Sequence, residues 1–152
     1  MSALEVVLVL TCPAGAAVCL ARMRQVLDCV ETARTVWPAL DRWEEVLPEW
    51  FVRACAKPMS DEEAQSWLHR WRGMSQAEQS RVSEEQPWSL PDWLYWMEPT
   101  QSVWRWARAR QRSATELEVT LAVEGLPVAL GAFKWLARTA GAERVMAASD
   151  RV

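Results

Sequence analysis

Residues 103–124 read VWRWARARQRSATELEVTLAVE, and this stretch decides the fold class. Its second half alternates with a period of two, the spacing at which a strand sends successive side chains to opposite faces. Leu117, Val119, Leu121 and Val123 fall on one face, and Glu116, Glu118 and Glu124 on the other. The first half, Val103 to Arg108, alternates as well. A polar connection at about 111–115 separates the two halves, so an antiparallel hairpin is expected. Arg105, Arg108, Arg110 and Arg112 then lie roughly opposite the glutamates, in place for cross-strand ion pairing.

On either side of this hairpin the apolar residues recur at helical steps. Downstream, Gly125 and Pro127 turn the chain into a helix expected over 128–140, ended by Gly141, with a loose tail from about 146. Upstream lies PWSLPDWLYWMEP, residues 87–99. Ser89 followed three residues later by Asp92 is a cap signal, 93–97 makes one to two helical turns, and Pro99 stops it. Residues 75–86 are polar and read as an exposed helix or ordered loop. Ser60 with Glu63 predicts a capping box opening a helix that Gly73 ends, with Trp67, Leu68 and Trp71 expected on its buried face. Pro38 opens another helical stretch, which Pro48 must kink or split. At the N-terminus, LEVVLVL (4–10) reads as a buried strand and 13–36 as a helix with Pro13 in its first turn. One continuous helix from residue 3 is the alternative. The sum is an α+β chain, several helices on a small antiparallel sheet, forming one domain over residues 1–152.

Composition narrows the function. A net charge of −3 argues against a nucleic-acid-binding face. The Arg/Trp strip at 104–112 resembles a basic aromatic surface in miniature, against which stands cross-strand Arg–Glu pairing with Trp packing. Cys12, Cys19, Cys29 and Cys55 sit in apolar sequence without metal-ligand spacing and read as free thiols in a reducing compartment. No apolar run approaches bilayer length, and no basic residue precedes the Val6–Leu10 run as in a signal peptide. A cytoplasmic protein, with no membrane partner, is expected. The only histidine, His69, stands beside Arg70 with no base, nucleophile or ligand spaced to join it. No nucleophile elbow, metalloprotease, phosphate-loop or dinucleotide pattern is present. The expectation is therefore a non-catalytic protein without cofactor or metal.

Eleven residues are Trp, against one Tyr and two Phe, and Trp is a residue of binding surfaces as well as cores. Trp88, Trp93, Tyr95, Trp96, Trp104 and Trp106 fall within nineteen residues. A single helix cannot bury Trp93, Tyr95 and Trp96 together, because positions two and three apart diverge around its axis. At least one of them must point outward. With Asp92 and Glu98 as an acidic rim, these five residues form the candidate partner-binding surface.

The segment 87–142, a little over a third of the chain, resembles a family of small Trp-rich bacterial proteins similar to the immunity proteins of toxin–immunity systems. The resemblance is carried by Trp88, Leu90, Trp93, Leu94, Tyr95, Trp96, Trp104, Trp106, Gly125, Pro127, Gly131, Trp135 and Gly141, with Arg108 departing from an expected acid. It implies an inhibitor that binds a cognate toxin domain directly and carries no catalytic residue. The competing functions are a small-ligand or hydrolytic domain with the Trp cluster as pocket, and a self-associating structural protein.

Overall fold

The computed structural model describes residues 4–57 and 59–148, with side chains for all of these except 83–85. Among them are seven helices and four strands, an α+β fold. In chain order they are β1 (Leu4–Thr11), α1 (Ala16–Thr32), α2 (Leu40–Val46), α3 (Glu49–Ala54), α4 (Asp61–Arg72), α5 (Gln76–Glu85), α6 (Leu90–Met97), β2 (Trp104–Gln111), β3 (Glu116–Val123), α7 (Gly131–Ala140) and β4 (Arg144–Ala147). The sheet order is β2-β3-β1-β4, with every neighbouring pair antiparallel. This is the split β-α-β connectivity of ferredoxin-like folds, with α2–α6 inserted between α1 and β2.

One face of the sheet carries the core. Val6, Leu8 and Leu10 of β1 stand opposite Leu121, Val119 and Leu117 of β3. On the sheet lie α1, which meets β3, and α7, which meets β4, and the two helices also touch each other. Cys19, Met23, Val26, Leu27 and Val30 form the buried stripe of α1, and Phe133, Leu136, Ala137 and Ala140 that of α7. The inserted α3 and α6 extend this layer by packing on α7. Phe51 and Trp93 meet edge to face there, with ring centroids 4.7 Å apart. Helix and sheet share one cluster of buried residues.

The hairpin holds a feature that simple alternation misses. A bulge lies between Trp106 and Arg108, and the extra residue, Ala107, resets the parity of β2. Trp104 and Trp106 therefore face the core, whereas Arg105, Arg108 and Arg110 all come to the opposite face. Trp104 packs on Phe133, and the Arg24 guanidinium lies over Trp106. On the other face Arg110 and Arg112 meet Glu118 at 2.9 and 3.0 Å, and Arg108 reaches past β3 to Glu5 on β1 at 2.6 Å. Pairing of the arginines is thus shared between two strands.

Several expectations need correction. The first helix starts at Ala16, not Pro13, because Pro13 and Ala14 form a turn and Gly15 has φ 126°, a conformation favouring glycine. It stops at Thr32, before the approach to Pro38. The last helix starts at Gly131 rather than 128. The tail expected to be loose from about 146 begins inside β4, where Val145 and Ala147 pair with Leu10 and Leu8. Its last residues, 149–152, lie outside the described residues. Pro48 does split its stretch, serving as N-cap of α3. Ser60 caps α4 by accepting from the Glu63 N–H, but its hydroxyl also donates to Glu63 Oε1, so the side chains meet directly. The largest correction concerns α4 itself, none of whose residues is buried. Leu68 is exposed, and Trp67 and Trp71 are only half-buried. The next helix, α5, offers little apolar surface to cover them.

Candidate functional site

Helix α6 distributes its aromatics as its period demands. Trp93 points inward and is fully buried, its indole N–H donating to the Ala132 carbonyl at 3.0 Å. Tyr95, about 200° further round the axis, points out and is 52% exposed. Trp96 lies between these directions, half-buried, with its ring edge-on to Tyr95 at 5.6 Å. Of the five candidate residues, Trp93 is thereby corrected to a core residue, packed on Phe51 and bonded to α7.

Asp92, Tyr95 and Trp96 come together on one wall of an open cleft of about 640 Å³ between α6 and α4. Glu98 is not part of that wall. It caps the C-terminus of α6, its backbone N–H donating to Leu94 O at 3.0 Å. The facing wall is α4, contributing Ala64 and Trp67, and the segment before it, contributing Lys57 and Met59. Trp88 and the prolines at 87 and 91 complete the cleft. Its charged side chains among the described residues are one lysine, Lys57, and one acid, Asp92.

Local sequence sets each wall. Ser89 accepts from the Asp92 N–H at 3.3 Å and so starts α6 in the register that sends Tyr95 outward. The Ala56 N–H donates to Trp88 O at 2.9 Å, tying the segment before α4 to the segment before α6. The Trp88 ring rests on the first turn of α7. A Cβ on Gly131 would stand 2.8 Å from Trp88 Cζ2, so only glycine lets the ring lie there. On α4, the Trp67 and Trp71 rings meet at a tilt with centroids 6.1 Å apart, and Arg70 lies over Trp67. No ring contact spans the cleft among the described residues; each runs within its own wall.

Sequence reasoning overlooked Trp67, Trp88, Met59 and Lys57. A signal for Trp67 existed: two tryptophans one turn apart on a polar helix, with no apolar neighbour helix in the sequence to bury them. Trp88 carried no such signal, since its place depends on contact with Gly131 across 43 residues of chain.

The remaining chemistry-bearing residues lie elsewhere. His69 is exposed on α4 and does not line the cleft. The four cysteines are free thiols. Burial pushes Cys12, Cys29 and Cys55 up, and Cys19 up to about 12, with the neighbouring Cys12 thiol adding to the effect. Against burial, the Trp135 indole acts on Cys55 in the lowering sense, although that N–H makes no conventional hydrogen bond. Among the described residues no cluster of His, Cys, Asp and Glu is arranged to hold a metal ion. Nor is any described helix long and apolar enough to cross a membrane.

Comparison with protein families, with curated proteins and with solved structures returns no match for this chain.

Proposed function

We propose that this protein is a non-catalytic binding module whose α4–α6 cleft holds a segment of a partner protein. The observation that carries this reading is the cleft itself. Three tryptophans and a tyrosine line the open cleft, and the helix forming one wall has no fully buried residue among those described. Isolated exposed apolar residues are ordinary, but a contiguous aromatic patch is the usual mark of an interface. Tyr and Trp suit such a role, since they combine large contact area with a polar group and few rotatable bonds.

The partner we infer is a cognate toxin domain, neutralised by direct binding as in immunity proteins; support for that finer step is the resemblance of residues 87–142. A nucleic-acid partner fits less well. Of the arginines of β2, Arg108 and Arg110 are paired with glutamates of the neighbouring strands, and Trp104 and Trp106 point the other way, so no stacking surface forms. The free thiols fit a reducing compartment, and we place the protein in the cytoplasm.

The test is co-purification with the polypeptide encoded beside it, using wild type, Tyr95→Ala and Trp67→Ala. Both variants should melt within a few degrees of wild type and lose binding by about 2 kcal/mol or more, as interface anchors do. If binding is unchanged in both, or if every loss follows a loss of folded protein, the cleft is not the partner site.

A further inference from the structure

We propose that Cys12, Cys19 and Met23 form a binding site for copper(I), held by two thiolates and a thioether where β1 passes into α1. The site is independent of the α4–α6 cleft.

The backbone assembles the three sulfurs. β1 ends at Thr11, and the Cys12 N–H donates to Thr115 O at 2.7 Å, which fixes Cys12 at the end of the sheet. The chain then turns, with the Gly15 N–H returning to Cys12 O at 2.9 Å and Gly15 at φ 126°. The first turn of α1 brings Cys19 back beside Cys12, and the two thiols act on each other's ionisation. Met23 follows four residues later on the same helix face, and the Cys19 thiol stands 3.9 Å from its Sδ. All three residues are 1% exposed or less.

That spacing suits a metal ion. Sulfur ligands lie about 2.3 Å from an ion of the first transition row, so three of them in a plane around it stand about 4.0 Å apart. The Cys19–Met23 pair already has this separation. Met23 is unbranched and can adjust its thioether. Pro13 and Ala14, next to Cys12, are exposed and give the ion a way in.

Donor chemistry selects the ion. Thiolates and thioethers are soft and favour copper(I). Structural zinc takes four nitrogen, sulfur or oxygen ligands, and the described residues hold no cluster of His, Cys, Asp and Glu to supply them. Copper(I) accepts three sulfurs, and the reducing conditions that keep these thiols free also keep copper in that state. Binding replaces two S–H bonds by two Cu–S bonds, both protons leave to solvent, and no oxidation state changes. The bound site carries one negative charge, and Arg22 acts on Cys19 in the sense that favours the thiolate.

The probe is copper(I) itself, supplied as its coloured bicinchoninate complex to the full-length reduced protein under argon. The protein should withdraw one copper per chain. Copper X-ray absorption should then show sulfur neighbours at about 2.3 Å, three in wild type and two in Met23→Leu, a change of similar volume that cores tolerate. Cys12→Ala and Cys19→Ala should each weaken binding at least about a hundredfold, since losing even an outer partner of a ligand can cost that much. Cys29→Ser combined with Cys55→Ser should leave it unchanged. Thermal melts identify the variants that fold, and the sulfur count in Met23→Leu carries the test if the two alanine variants do not. The proposal is overturned if folded wild type withdraws no copper, or if Met23→Leu shows the same sulfur count as wild type. It is overturned equally if the Cys29/Cys55 double variant loses the ion, or if a folded Cys12→Ala or Cys19→Ala retains it at wild-type affinity. The three sulfurs are then core packing alone.

Discussion

Replacing Cys19 with alanine should lower stability at neutral pH and raise it at pH 11. Cys19 lies on the inner stripe of α1, 1% exposed, with its thiol 3.9 Å from Met23 Sδ. Removing one buried sulfur leaves a small void, which costs about 1–2 kcal/mol. Burial also holds the thiol neutral, moving its pKa from 9.0 to about 12. The sign follows from linkage. Below pH 9 the thiol is protonated in both folded and unfolded chains and has no pH effect. Between 9 and 12 the unfolded chain loses its proton and the folded one keeps it, so wild-type stability falls by about 1.4 kcal/mol per unit. At pH 11, two units above the unfolded value, that loss is on the order of 3 kcal/mol, while the buried Cys12 thiol responds in wild type and variant alike. The variant lacks this term, so the order of stabilities should invert near about pH 10. Guanidinium unfolding followed by tryptophan emission, in the presence of reductant, gives the difference at pH 7, 9, 10 and 11. A difference constant within about 0.5 kcal/mol across that range would refute burial as the force holding Cys19 neutral. Alkylation offers an independent check: at pH 8 the thiolate fraction of Cys19 should be about a thousandfold below that of an unperturbed cysteine.

Trp93→Phe should cost about 2–3 kcal/mol in chemical unfolding, since it removes a buried hydrogen bond to Ala132 and leaves a void beside Phe51. A cost below about 0.5 kcal/mol would show that the contact is not formed. Gly131→Ala places a methyl against the Trp88 ring. The gain in helix propensity, about 1 kcal/mol, should be outweighed by overpacking of about 1–3 kcal/mol, with the Trp88 indole resonance moving more than that of Trp135. Increased stability with an unmoved Trp88 resonance would contradict the geometry. His69→Ala, at an exposed position outside the cleft, should leave both melting temperature and partner affinity unchanged; a large loss of affinity in the folded variant would draw α4's outer face into function.

The elements that announced themselves in sequence are those whose local pattern and tertiary environment agree. Leu117 to Val123 alternates because one face of β3 lies in the core under α1 and the other bears Glu118 in its ion pairs. Ser60 and Ser89 cap their helices through bonds spanning three residues, which need no distant partner. The outward direction of one α6 aromatic also follows from helical period alone, and Tyr95 is that residue. What required the tertiary structure depends on long-range contact. Strand β4 is four residues long, too short to show alternation, and exists because the edge of β1 pairs with it. The bulge at Ala107 reverses the parity of β2 to keep both Trp106 and Ala109 on the core face, a choice no local propensity encodes. Trp67 and Trp71 have the spacing of a core stripe, yet neither is fully buried among the described residues, and Trp67 lines a cleft. Amphipathic periodicity reports that a face is apolar. Whether that face is filled by the chain's own core or left for another molecule is decided by how the elements assemble.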